Sequence, residues 1–166
     1  MTTPKSVMNP LIHRGQPGAG YLLLPGEGEL LALGGGPLRL LASGDRTGGT
    51  VGAWYDEVPP GGALFLHIHH LADELFYVLA GEFRFQVGET VTTVSEGSFV
   101  FIPRGAVHAY RNVGNQTGRL LGFVTPAGLE EFYRAQAQRP PEQMTPELYS
   151  ELATHYDFAI VGPKLA

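Results

Sequence analysis

Apolar residues along this chain come in short runs, and nearly every run ends at a glycine or a proline. Tyr21–Leu24, Leu30–Leu33, Leu38–Ala42 and Thr50–Tyr55 are separated by Gly26, Gly28, Gly34–Pro37 and Gly44–Gly49. That is the rhythm of short strands and tight turns. It continues through Ala63–His69, Leu75–Leu79, Glu82–Val87, Thr90–Val94, Ser98–Ile102, His108–Asn112 and Arg119–Val124, with turns at Pro59–Gly62, Gly81, Gly88, Gly97 and Gly114–Gly118. The pattern predicts about eleven strands, enough for a closed barrel or a two-sheet jelly roll. After Pro126 the period changes. Helix formers fill Gly128–Gln138 and Thr145–Tyr156, and Thr145 followed by Pro146 supplies an N-cap and a proline at the first helical position. Leu129, Phe132, Tyr133, Leu148, Tyr149 and Leu152 suit packing against a sheet. These helices are expected to end the fold and to carry no chemistry. Residues 1–20, polar and without period, read as an extended arm. The expected organisation is an arm over 1–20, an all-β barrel over 21–125, and helices with a tail packed on it over 126–166.

Composition sharpens this picture. The 166 residues suffice for one domain with its own core. Twenty-three glycines, 13 prolines and only 16% charged residues favour many short strands over long helices. A net charge of -5, with 11 basic residues scattered singly, offers no cationic patch for nucleic acid. The longest apolar runs are far too short to span a membrane, so a cytoplasmic protein with no membrane partner is expected. Cysteine is absent, so thiol nucleophiles and thiolate metal sites are excluded and any metal must be held by nitrogen and oxygen.

The segment from Gly61 to Glu74 contains His67 and His69 at positions i and i+2. On a strand that spacing aims both imidazoles at one face. Glu74 opens the next strand, and an adjacent antiparallel strand would bring its carboxylate beside them; His108 adds a third imidazole. Three imidazoles and one carboxylate suit one divalent ion of iron, nickel, cobalt, manganese or zinc, and the set does not choose among them. A lone histidine on an apolar strand is more often satisfied by ordinary hydrogen bonds. Half of the six histidines fall in this one constellation, however, and a buried cluster of unpaired imidazoles would cost about 1–3 kcal/mol for each unpaired group. His70, whose parity points it away, and His13 and His155 read as surface residues. Period two also sets Phe65 on the face of His67, Phe76 on that of Glu74 and Tyr110 on that of His108, as candidate walls of a substrate pocket.

These residues resemble the cupin superfamily. Its first signature, G-x5-H-x-H-x4-E-x6-G, falls on Gly61, His67, His69, Glu74 and Gly81; its second, G-x5-P-x-G-x2-H-x3-N, falls on Gly97, Pro103, Gly105, His108 and Asn112. The resemblance implies a double-stranded β-helix, or jelly-roll, barrel with the metal held by His67, His69, Glu74 and His108, and a homodimer. Longer stretches around Asp73–Glu82, Phe101–His108, Thr125–Tyr133 and Tyr156–Pro163 are similar to single-domain cupins of the quercetin 2,3-dioxygenase type. That similarity implies a metal-dependent dioxygenase using O2 on a small aromatic or enol substrate such as a flavonol, with Glu74 both ligand and catalytic base. An isomerase or decarboxylase using the metal as a Lewis acid, and a non-catalytic small-molecule binding module, stand as alternatives.

Overall fold

A computed structural model describes residues 20–166; the expected arm, and His13 within it, lie outside the described residues save for Gly20. The chain runs through β1 (Glu29–Leu33), β2 (Gly36–Ala42), a single helical turn α1 (Gly44–Thr47), β3 (Gly52–Val58), β4 (Phe65–His69), β5 (Asp73–Ala80), β6 (Glu82–Val87), β7 (Thr90–Ser95), β8 (Phe99–Ile102), β9 (His108–Asn112) and β10 (Gly118–Thr125). Helices α2 (Leu129–Ala137) and α3 (Pro146–Thr154) follow, and β11 (Phe158–Lys164) comes last. The strands form two sheets, ordered β1-β2-β3-β10-β5-β8 and β11-β4-β9-β6-β7, antiparallel throughout. The sheets pack face to face as a jelly roll, the all-β fold expected from the sequence.

Alternation along each strand builds the interior. Trp54, Asp56 and Val58 on β3, Glu74, Phe76 and Val78 on β5, and Leu120 and Val124 on β10 are buried, while alternating residues such as Tyr55, Glu57, Tyr77 and Phe123 are more exposed. Asn112 closes one end: its amide donates to the carbonyls of Val58 and Gln116, both at 2.8 Å, and its oxygen accepts from Gly114 N–H at 2.9 Å. It ties two strands and a turn together.

Two elements differ from the sequence reading. Tyr21–Leu24 is irregular and forms no strand; its tyrosine lies against the Arg46 guanidinium and donates to the Leu41 carbonyl at 2.8 Å, and Leu22 and Leu24 remain exposed. The helices do not end the fold. β11 returns to pair with β4 at the edge of the five-stranded sheet. Gly162 and Pro163 read as breakers, but an edge strand tolerates proline because one row of its backbone groups needs no partner. The register slips between Ile160 and Lys164, where those residues sit.

Helix α3 is capped as expected, with Thr145 Oγ1 accepting from Leu148 N–H at 3.2 Å. Helix α2 is fixed differently. The buried Glu130 carboxylate accepts from Gly44 N–H at 2.6 Å and from Gly128 N–H at 2.8 Å, binding the start of the helix to the α1 turn. Phe132 of α2 then meets Phe158 of β11 edge to face at 4.6 Å. The helical tail is thereby brought over the half of the interior that holds the histidines.

Candidate metal centre

His67 and His69 project inward from β4, and His108 sits directly opposite His67 across the β4–β9 pairing. Glu74 arrives from elsewhere. The sequence reading placed it on a strand adjacent to β4, but β5 belongs to the other sheet, between β10 and β8. The short link from His70 to Ala72 crosses between the sheets, so Glu74 reaches the imidazoles from across the interior. All four residues are buried, and one ligand atom from each lies within 4.8 Å of the others.

Backbone carbonyls orient two of the rings. His67 Nδ1 contacts the Phe65 carbonyl at 2.8 Å and His108 Nδ1 contacts the Ala106 carbonyl at 2.9 Å. A carbonyl can only accept, so both Nδ1 atoms carry a proton and Nε2 is the atom each ring turns to the cluster. His108 Nε2 lies 2.9 Å from Glu74 Oε2, whereas His69 Nε2 stands 3.7 Å from that oxygen, beyond hydrogen-bond reach. The His69 Nε2 atom is buried with no partner.

The electrostatics fit a cation site. Burial pushes the His67 pKa down to about 3, helped by its two histidine neighbours, so this ring is neutral and its Nε2 lone pair is free. Burial alone would raise the Glu74 carboxyl, but His108 and His69 outweigh it and hold Glu74 below the usual carboxylate range. Burial likewise opposes charge on His108, yet the Glu74 carboxylate raises its pKa above the ordinary value. Without a metal, a proton bridges His108 and Glu74; a divalent ion would serve the same pair and also satisfy the orphaned His69 nitrogen. The donor set therefore fits one divalent ion, held by His67, His69, Glu74 and His108.

The residues around the cluster separate. His70 and His155 are exposed, and Asp73 is engaged by Arg104 in a two-pronged ion pair at 3.0 and 3.1 Å. Phe65 and Tyr110 line a cavity of about 390 Å³ whose walls include none of the four cluster residues. Phe76 does not line it. Its ring is packed among Trp54, Phe85 and Tyr110, as core filling. The tail is closer to the chemistry than expected: Phe158 lies 5.3 Å from the His69 ring and 5.6 Å from the His67 ring, and Tyr133 and Tyr149 line the cavity.

Sequence reasoning missed Asp56, which also lines the cavity. The signal was present, since period two puts Asp56 on the same face as Trp54 and Val58. Its Oδ2 accepts from the Tyr110 hydroxyl at 2.6 Å, and burial raises its pKa from 3.8 to about 6. A raised acid favours folding in its protonated form, so Asp56 costs little below about pH 4, increasingly more between pH 4 and pH 6, and a constant amount above that. Asp56→Asn removes that cost. The variant should gain on the wild type by about 2 kcal/mol between pH 4 and pH 7 in denaturant titrations. An equal difference at both pH values would contradict the assignment.

The fold and the buried three-histidine, one-carboxylate cluster define a metal-binding jelly roll. Residues 54–124 match the family model described as Cupin domain, and this part of the chain belongs to that family. Among curated proteins, the chain is similar to a quercetin 2,3-dioxygenase of Bacillus subtilis (strain 168), 30% identical over 96 residues that make up 58% of this chain and 28% of the relative. It is also 30% identical to protein SchB of Streptomyces halstedii over 69 residues, 42% of this chain and 50% of that protein. The matched segments span from 28% to 54% of the curated relatives' lengths. Among solved structures, KdgF from Halomonas sp. superposes with a TM-score of 0.59 at 15% identity, over 68% of this chain and 99% of that one. An RmlC-like cupin from Shewanella frigidimarina gives 0.56 at 20% identity, over 66% and 93%. Both share the fold. No helix among the described residues is long and apolar enough to cross a membrane.

Proposed function

We propose that this protein is a metal-dependent dioxygenase acting on a small aromatic or enol substrate such as a flavonol. The observation that carries the reading is the Glu74 carboxylate buried among three histidines, in an interior that also holds an aromatic-lined cavity. The likeness to the quercetin 2,3-dioxygenase of Bacillus subtilis supports it. A divalent metal held by His67, His69, Glu74 and His108 would supply Lewis acidity towards a substrate hydroxyl and access to O2 chemistry. Glu74 is the proton acceptor. His108 Nε2, 2.9 Å from Glu74 Oε2, holds the carboxylate at the centre of the cluster, where a substrate hydroxyl on the metal would give up its proton. His67 and His108, held in one tautomer by backbone carbonyls, keep their Nε2 atoms turned to the centre. Phe158 and Phe132 exclude water from the histidine side. Dioxygenation places both atoms of O2 in the product, so no external reductant is called for.

An oxygen electrode tests this. Protein loaded with iron(II), nickel, cobalt or manganese should consume O2 in step with loss of quercetin, and Glu74→Gln should lower the rate by about 100-fold or more. No uptake with any of these metals across a panel of flavonols and related enols would refute the reading. Turnover of such a compound under nitrogen would instead assign Lewis-acid isomerase or decarboxylase chemistry.

A further inference from the structure

The 390 Å³ cavity lies between the two sheets under the helical tail, and its size falls within the range of small-molecule sites. Phe65, Tyr133 and Tyr149 make its walls aromatic, and Asp56 is the one acid among the described residues that lines it. We infer that this cavity holds the organic ligand and that Asp56 determines specificity there, accepting a hydrogen bond from a hydroxyl on an otherwise apolar aromatic molecule. This rests on the reading of the protein as acting on small aromatic compounds, but it concerns binding and not the chemical step.

Three observations point the same way. Asp56 is only 9% exposed, packed with Trp54 and Val58 on the inward face of β3, where a carboxyl costs stability and a leucine would not. Tyr110 occupies its Oδ2, yet a carboxyl offers about four acceptor positions over two oxygens, so capacity remains for a ligand. None of His67, His69, Glu74 and His108 lines the cavity, but its walls include strand neighbours of two of them. Phe65 and Tyr110 each stand two residues from a histidine ligand along the same strand, a step of about 7 Å. The Lys164 ammonium, over the Phe65 ring at 5.2 Å, lines the same cavity and disfavours a cationic guest, which selects a neutral hydroxyl over an amine as the donor for Asp56.

The test uses full-length protein as purified, under nitrogen so that nothing turns over, and calorimetric titration with 2-naphthol and with 2-methoxynaphthalene, which has a similar shape but no donor. The wild type should prefer 2-naphthol by about tenfold or more, the scale of one hydrogen bond to a carboxylate. Asp56→Leu/Tyr110→Phe replaces both polar partners by apolar ones, and should bind the two probes alike with its metal content unchanged. Ala63→Trp, which fills the cavity, should bind neither. A preference that survives in the double variant, binding that survives Ala63→Trp, or no binding of either probe to the wild type would each overturn the inference. Should the double variant not fold, Asp56→Asn is read in its place: it keeps the Tyr110 bond, and its preference should fall to about threefold or less, an unchanged preference overturning the assignment. If Asp56 only positioned Tyr110, removing it would leave the ratio of the two affinities unaltered. The two readings fail separately: hydroxyl preference without oxygen uptake removes the dioxygenase and leaves the site, whereas oxygen uptake without the preference removes only the site.

Discussion

His108→Ala protein, purified without tag or chelator and dialysed, should carry less than about a tenth of the metal found in the wild type. Removing a group that merely orients a ligand already costs 10–100-fold in metal affinity, and His108 is itself one of four ligands, so a loss of about 100-fold or more is expected. The geometry makes His108 the central member. Its ring is 4.1 Å from that of His67, and its Nε2 is the nearest nitrogen to Glu74. Without it the buried carboxylate keeps only the more distant His69 at 3.7 Å and is driven to take up a proton, which removes its charge as a ligand as well. Elemental analysis beside a His67→Ala/His69→Ala control decides the matter. Metal at the wild-type level in His108→Ala, with the control empty, would place the ion somewhere other than this cluster.

The second large effect concerns stability alone. Trp54 is 1% exposed, and its ring packs edge to face on Phe76 at 6.0 Å and on Tyr133 at 5.4 Å. Beneath it, Gly122 of the neighbouring strand leaves the space that the indole fills; a methyl group there would collide with the ring. Trp54→Ala removes the largest buried side chain and leaves a void between the sheet and α2 that rigid strands cannot collapse to fill. The expected loss is about 3–5 kcal/mol. For a chain of this size that corresponds to a fall of roughly 10 °C in the thermal midpoint. Because Trp54 is not one of the four ligands, the folded fraction should keep its metal. A fall of less than about 2 °C would mean that the site collapses or hydrates at little cost, contrary to the packing described.

How far the sequence reveals all this can be judged residue by residue. His67 and His69 are legible because a strand has a strict period of two, so their shared face follows from spacing alone. The helices are legible because the hydrophobic period changes after Pro126 and Thr145–Pro146 is a strong start signal. The sheet to which Glu74 belongs is not legible. Whether a three-residue link turns within one sheet or crosses to the facing one is decided by packing of the whole interior, and nothing in His70–Ala72 encodes it locally. β11 is hidden for a related reason: Gly162 and Pro163 signal a break, and only the free edge of β4 makes a strand the better outcome. Phe76 and Tyr110 look equivalent in sequence, both aromatic and both inward. What separates them is the cavity that opens beside Tyr110, whereas Trp54, Phe85 and Tyr110 itself close around Phe76.

The carbonyls that fix the His67 and His108 rings belong to Phe65 and Ala106, two residues back along the same chain in each case. An outer shell made of main chain is one that mutation cannot delete. Phe65 and Ala106 can drift to other residues, and the tautomers stay set so long as the local backbone path survives. Much of the centre's fidelity is thus written into the path of the polypeptide, which leaves the surrounding side chains free to diversify without disturbing the ion.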